Sequence, residues 1–148
     1  MEAGIFSDEY FMKQALAEAR NAFNREEIPV GAVIVANNTI IARAHNLTET
    51  LNDVTAHAEM QVITAAANAI GSKYLDECTL FVTLEPCAMC AGAIFWAQLQ
   101  KLVYGASDPK RGYTQVQTPL LHPKTEILNG IMAHESEMIM REFFRKRR

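Results

Sequence analysis

The chain reads as one α/β domain, residues 1–148, with helices on both faces of a mixed five-stranded sheet: a three-layer α/β/α arrangement. Three observations predict it. Two β-branched runs flank a turn and make a hairpin; strand, helix and strand follow one another between residues 78 and 105; and helix-period segments open and close the chain.

Ser7 or Asp8 can cap the first helix, in which Phe11, Ala15, Ala19 and Phe23 recur at helical spacing. "IPVGAVIV" (28–35), the turn-like "ANN" and "TIIARAHN" (39–46) then give the hairpin. A loop holding Asn52 and Asp53 leads to Thr55, and "AHAEMQVITAAANAI" (56–70) is a helix closed by Gly71. "CTLFVT" (78–83) is a buried strand, Pro86 takes the first position of the next helix, and "KLVYG" (101–105) is another strand. Two strands joined through a helix must lie parallel. Residues 105–124 have no period, and so long a loop in a small domain is functional or mobile. "TEIL" (125–128) is the last strand, and residues 131–148 form a final helix with Ile131, Met138 and Phe143 toward the core.

Composition narrows the classes of function. The chain is 49% hydrophobic and 21% charged, which suits a folded globular protein rather than a disordered one. Its apolar runs fall short of the roughly 20 residues of a membrane span, and "MEAGIFSDEY" lacks the pattern of a secretory signal. A cytoplasmic protein with no membrane partner is therefore expected. Three cysteines, Cys78, Cys87 and Cys90, are an odd number in a reducing compartment, so no disulfide partner is expected and metal or thiol chemistry is the use for the close pair. Cys78, at the head of a buried strand, reads as an inert core thiol. Four of the 14 Lys and Arg are the last four residues, so the remaining 10 stand against 17 acidic residues and the body carries −7. An acidic body with a basic end suits a polyanion touched at one place, or is a solvated helix end.

The chemistry lies in two short words. Cys87 and Cys90 stand three apart at a helix start, where free N–H groups and the helix dipole favour thiolates. His57, two positions before Glu59, begins another helix and can supply a third ligand. Three ligands leave one position of a zinc tetrahedron open, and water bound there has its pKa drawn down toward ~7. Glu59 would then carry the proton. In mid-helix, residues two apart point roughly 200° apart, so His57 and Glu59 can serve one pocket only at a helix's first turn.

His-x-Glu followed by Pro-Cys-x-x-Cys is the signature of zinc-dependent nucleobase deaminases. On these residues the chain resembles the cytidine deaminase superfamily. Within it, the chain is similar to the bacterial tRNA-specific adenosine deaminases from about residue 8 onward, through "PVGAVIV" (29–35), Asn46, "TAHAE" (55–59), "TLEPCAMCAGAI" (83–94), "VYGASD" (103–108) and "EFFRKRR" (142–148). The resemblance implies a cytidine deaminase-like fold, one Zn²⁺ per subunit on His57, Cys87 and Cys90, and Glu59 as the catalytic proton shuttle. The reaction implied is hydrolytic deamination of adenosine to inosine at the wobble position of a tRNA anticodon loop. It further implies that Asn46, Pro29, Val30 and Gly31 bind the base and that Asp108 accepts from the ribose 2′-hydroxyl. Lys110, Arg111, Phe144, Arg145, Arg147 and Arg148 would contact RNA. The family is homodimeric, and Phe95 and Trp96 read as packing or dimer contacts. Glu85 has no chemical role in this reading. Residues 112–124 depart from the family pattern, and "GAIFWA" is similar to the free-base guanine deaminases. A free nucleobase deaminase for guanine or cytosine and a non-catalytic zinc or thiol module are the alternative readings.

Overall fold

The Ser7 hydroxyl accepts from the Tyr10 N–H at 3.1 Å and opens helix α1 (Asp8–Asn24), with Asp8 and Glu9 at its positive end. In the computed structural model, which describes residues 6–147, strands β1 (Gly31–Ala36) and β2 (Thr39–His45) follow as an antiparallel hairpin. Its turn places Asn37 and Asn38 at φ 52° and 63°, the left-handed pair that a tight hairpin turn requires and asparagine tolerates. Helix α2 (Ala58–Ile70) ends at Gly71 in the left-handed conformation, as its sequence predicts. Strand β3 (Thr79–Leu84), helix α3 (Ala88–Ala97) and strand β4 (Lys101–Ala106) complete the crossover, and β3 and β4 are parallel. One 3₁₀ turn (Tyr113–Gln115), strand β5 (Glu126–Asn129) and helix α4 (Ala133–Lys146) close the chain.

The sheet runs β2-β1-β3-β4-β5, antiparallel on the β1 side of β3 and parallel beyond it. Its alternating side chains make two cores. Ala32, Ile34, Leu80, Val82 and Leu102 pack with Val62, Ala66 and Ile94 of α2 and α3. Val33, Val35, Phe81 and Val103 pack with Phe11, Met12 and Ala15 of α1, and α4 lies on the same side, its Phe143 against Phe23. This is the three-layer arrangement expected. Each fully buried aliphatic side chain contributes about 1.5–3 kcal/mol, so the two faces together hold the sheet. Among the described residues no helix is long and apolar enough to cross a membrane.

Three expectations need correction. The third helix begins at Ala88 rather than Pro86, because Cys87 remains extended (φ −76°, ψ 175°) and bridges to Gly112. The second begins at Ala58, two residues late, with His57 as its cap. The last begins at Ala133, which shifts its inward face to Ser136, Ile139 and Phe143 and leaves Met138 exposed. Trp96, read as packing or a dimer contact, is 74% exposed and takes no part in the chain's own core. Cys78 is buried and free, which fits its reading as a core thiol.

Gly31 sits where β1 meets α1, and a Cβ there would run into the backbone of Ala15 and Ala19. Gly31→Ala must push strand and helix apart, and we expect a loss of about 1–3 kcal/mol in urea unfolding with an unchanged slope.

Candidate metal centre and its surroundings

Two helix starts face each other. His57 is the cap of α2 and Cys87 the cap of α3, and neither side chain caps its own helix. Both are therefore free to point into the gap between the helices, where Cys90, three residues into α3, joins them. His57 Nδ1 lies 3.7 Å from Cys87 Sγ and 3.6 Å from Cys90 Sγ, and the three ligand atoms fall within 4.8 Å of one another. A tetrahedral zinc with bonds of about 2.3 Å to sulfur and about 2.0–2.1 Å to nitrogen sets N and S roughly 3.6 Å apart. The triad is thus arranged to hold a metal ion, and its donor set suits zinc.

The metal-free electrostatics point the same way. Hydrogen bonds from the Cys90 thiol, then from His57 and the Cys90 N–H, outweigh burial and bring the Cys87 thiol down to about 4. The same bond to Cys87, together with burial, pushes Cys90 up, and the hydrogen bond to Cys87 raises His57. The lowered Cys87 thiol thus lies among donors at the starts of two helices. Glu59, in the first turn of α2, is 4% exposed and hydrogen-bonds Cys90, so it shares this corner. Burial lifts its carboxyl to about 7, against a smaller downward pull from its own backbone N–H and from His57.

The other predicted residues lie at two loops and on α4. Pro29 and Val30 are buried before β1; Asn46 follows β2, 5% exposed, with its N–H on the Val30 carbonyl at 3.1 Å. Asp108 follows β4, and its Oδ1 accepts from the Lys110 and Arg111 N–H groups at 3.1 and 3.0 Å. That carboxylate shapes its own turn. Lys110 and Arg111 are exposed, as are Phe144 and Arg145, which with Met140 and Arg141 line a shallow groove on α4. Arg147 is committed elsewhere: it donates to the Glu26 carbonyl at 3.0 Å and lies over the Phe143 ring at 4.1 Å. Arg148 lies outside the described residues.

Two buried carboxylates organise these loops: Glu85, read above as without a chemical role, and Glu27, which the sequence reading did not single out. Glu85, 4% exposed, accepts from the Asp108 N–H (2.9 Å), the Thr114 N–H (3.0 Å) and the Thr114 hydroxyl (2.7 Å), and a Cβ on Gly112 would collide with it. Glu27, 0% exposed, plays the same part for residues 46–50. A charge between the apolar "CTLFVTL" and Pro86 was a signal for Glu85; within "REE", Glu27 reads as surface. Glu85→Ala should leave part-buried donors without their acceptor, costing about 1 kcal/mol and raising amide exchange at Asp108 and Thr114. Gly112→Ala should disturb the same amides, and unchanged exchange in both variants would refute the clamp.

Comparison with known proteins fits this geometry. The family model for MafB19-like deaminases matches residues 6–148. A tRNA-specific adenosine deaminase of Agrobacterium fabrum is 46% identical, covering 94% of this chain and 95% of its own length. One of Bacillus subtilis is 45% identical, covering 95% and 91%. A solved structure from a study of A-to-I editing by tRNA:A34 deaminases superposes with a TM-score of 0.83 at 46% identity, over 88% of this chain and 98% of that one. The resemblance read from "TAHAE" and "PCAMC" therefore extends along nearly the whole sequence, and the chain belongs to the MafB19-like deaminase family.

Proposed function

We propose that this chain, as one deaminase domain, converts adenosine to inosine at the wobble position of a tRNA anticodon loop. The observation that carries the chemistry is the His57–Cys87–Cys90 triangle with the buried Glu59 at its edge. The substrate reading is supported by relatives named tRNA-specific adenosine deaminases at 46% and 45% identity.

His57, Cys87 and Cys90 would hold one zinc ion per subunit, which supplies, when bound, the Lewis acidity that makes water a nucleophile near neutral pH. Glu59 would take one proton from the attacking water and give it to the ring nitrogen beside C6, then take the remaining proton from the new hydroxyl and give it to the departing amine. A C–O bond forms, a C–N bond breaks, ammonia leaves, and nothing is oxidised or reduced. A carboxyl lifted to about 7 by burial exchanges its proton readily near neutral pH.

Asn46, Pro29 and Val30 would hold the base; Gly31, at the foot of β1, supports that wall by its close approach to α1. Asp108 keeps its second carboxylate oxygen for the ribose hydroxyl. Lys110, Arg111, Phe144 and Arg145 offer charge and an exposed ring to the loop RNA, with Arg148 extending the basic end. Trp96, 74% exposed on α3, suits a homodimer contact. A tRNA substrate also supports a cytoplasmic setting.

The test is an anticodon stem-loop RNA with a wobble adenosine, run beside free guanine, adenine and cytosine, with inosine and ammonia measured. We expect inosine in the RNA alone, a drop of about 10²-fold or more with Glu59→Gln at unchanged zinc content, and loss of zinc with Cys87→Ala. Ammonia from a free base with untouched RNA would overturn the substrate, and a fully zinc-loaded protein inactive on all of them would overturn the reaction.

A further inference from the structure

The second buried carboxylate, Glu27, is the group the mechanism leaves unused. It is 0% exposed, and none of the ion pairs among the described residues involves it. A buried carboxylate without a cation must be satisfied by hydrogen-bond donors. All of its donors come from residues 46–50: Asn46 Nδ2 at 3.3 Å and the Glu49 N–H at 3.1 Å on Oε1, the Thr50 N–H and hydroxyl both at 2.6 Å on Oε2. Burial pushes its carboxyl up, yet the Thr50 and Glu49 donors and neighbouring His45 prevail and hold it below the usual range. Glu27 is ionised at neutral pH.

An ionised carboxylate only accepts. Asn46 must therefore turn its nitrogen, not its oxygen, toward Glu27. One amide hydrogen goes to Glu27 and the second to the Thr48 hydroxyl, both at 3.3 Å, and the Thr48 side chain can rotate away. A base that takes the place of the Thr48 hydroxyl would receive that second hydrogen, so Asn46 presents it a donor. Adenine's edge matches a donor, because its ring nitrogens accept and its sole donor is the 6-amine that leaves.

We infer that Glu27 is a positioning residue for specificity: it fixes the rotation of the Asn46 amide and so decides whether the pocket offers the base a donor or an acceptor. This rests on the deaminase reading above. Glu27→Gln keeps the volume but brings an NH₂ to face donors, which frees the Asn46 amide to flip.

The test is a cycle of Glu27→Gln, Asn46→Ala and the double variant on the stem-loop RNA, each checked for fold and zinc content. We expect Glu27→Gln to raise KM about tenfold to a hundredfold with a smaller change in kcat, and to have no further effect once Asn46 is alanine. An equal loss in both backgrounds, or none in either, would overturn the proposal, the first by making Glu27 a loop brace alone. A second readout needs no activity and no variant. In the ¹H–¹⁵N spectrum of the wild-type protein one Asn46 Nδ2 hydrogen should be displaced downfield and slow to exchange; both at free-amide positions would overturn the proposal. A protein inactive on RNA but showing the displaced signal would defeat the deaminase reading and leave the Glu27–Asn46 contact standing.

Discussion

Everything in this molecule depends on two helix starts being held face to face. The three candidate ligand atoms lie within 4.8 Å of one another, yet two of them come from caps thirty residues apart in sequence, His57 and Cys87. Helix caps are the natural place for such ligands: a cap residue is not yet wound into the helix, so its side chain can turn away from the axis while its carbonyl begins the ladder. The Gln61 N–H takes the His57 carbonyl and the Ala91 N–H takes that of Cys87, at 3.0 and 2.8 Å, so each ligand is fixed by the helix it precedes. The register of β1 against β3, and of β3 against β4, sets the distance between the two helices packed on that face.

The site's three buried carboxylates are handled differently, and the difference separates their work. Glu59 receives little help from donors, so burial dominates and its carboxyl rises to about 7, the condition of a group that both takes and gives a proton. Glu27 receives donors from a neighbouring loop and stays charged, the condition of a fixed acceptor. Glu85 has donors from the loop after β4 and ties that loop to the end of β3. The same side-chain chemistry thus yields one carboxyl raised by burial and two fasteners, according to what each carboxylate meets.

Much of this was legible in the sequence, because the parts that carry the chemistry are local. His57 and Glu59 are two apart, Cys87 and Cys90 three apart, and a first-turn position settles which way they point. The elements were legible for the same reason: the Asn37–Asn38 turn, the Gly71 stop and the β-branched runs act on their immediate neighbours. What failed was decided at a distance. Cys87 stays extended because Gly112 pairs with it across the site, which delays the helix beyond Pro86. The phase of the last helix is set by Ile139 and Phe143 meeting the rest of the protein, not by its own apolar count, so Met138 faces out. The work of Glu27 and Glu85 depends on donors 19 to 29 residues away, a relation no local pattern announces.

The collision between Gly112 and Glu85 has a consequence for how this protein can change over generations. The space where a side chain at position 112 would begin is already filled by the carboxylate. A lineage that replaced the glycine first would lose the loop's geometry; one that shortened Glu85 first would strand the donors of Asp108 and Thr114. Neither single step keeps the loop as it is, so a change at one of the two positions calls for a compensating change at the other.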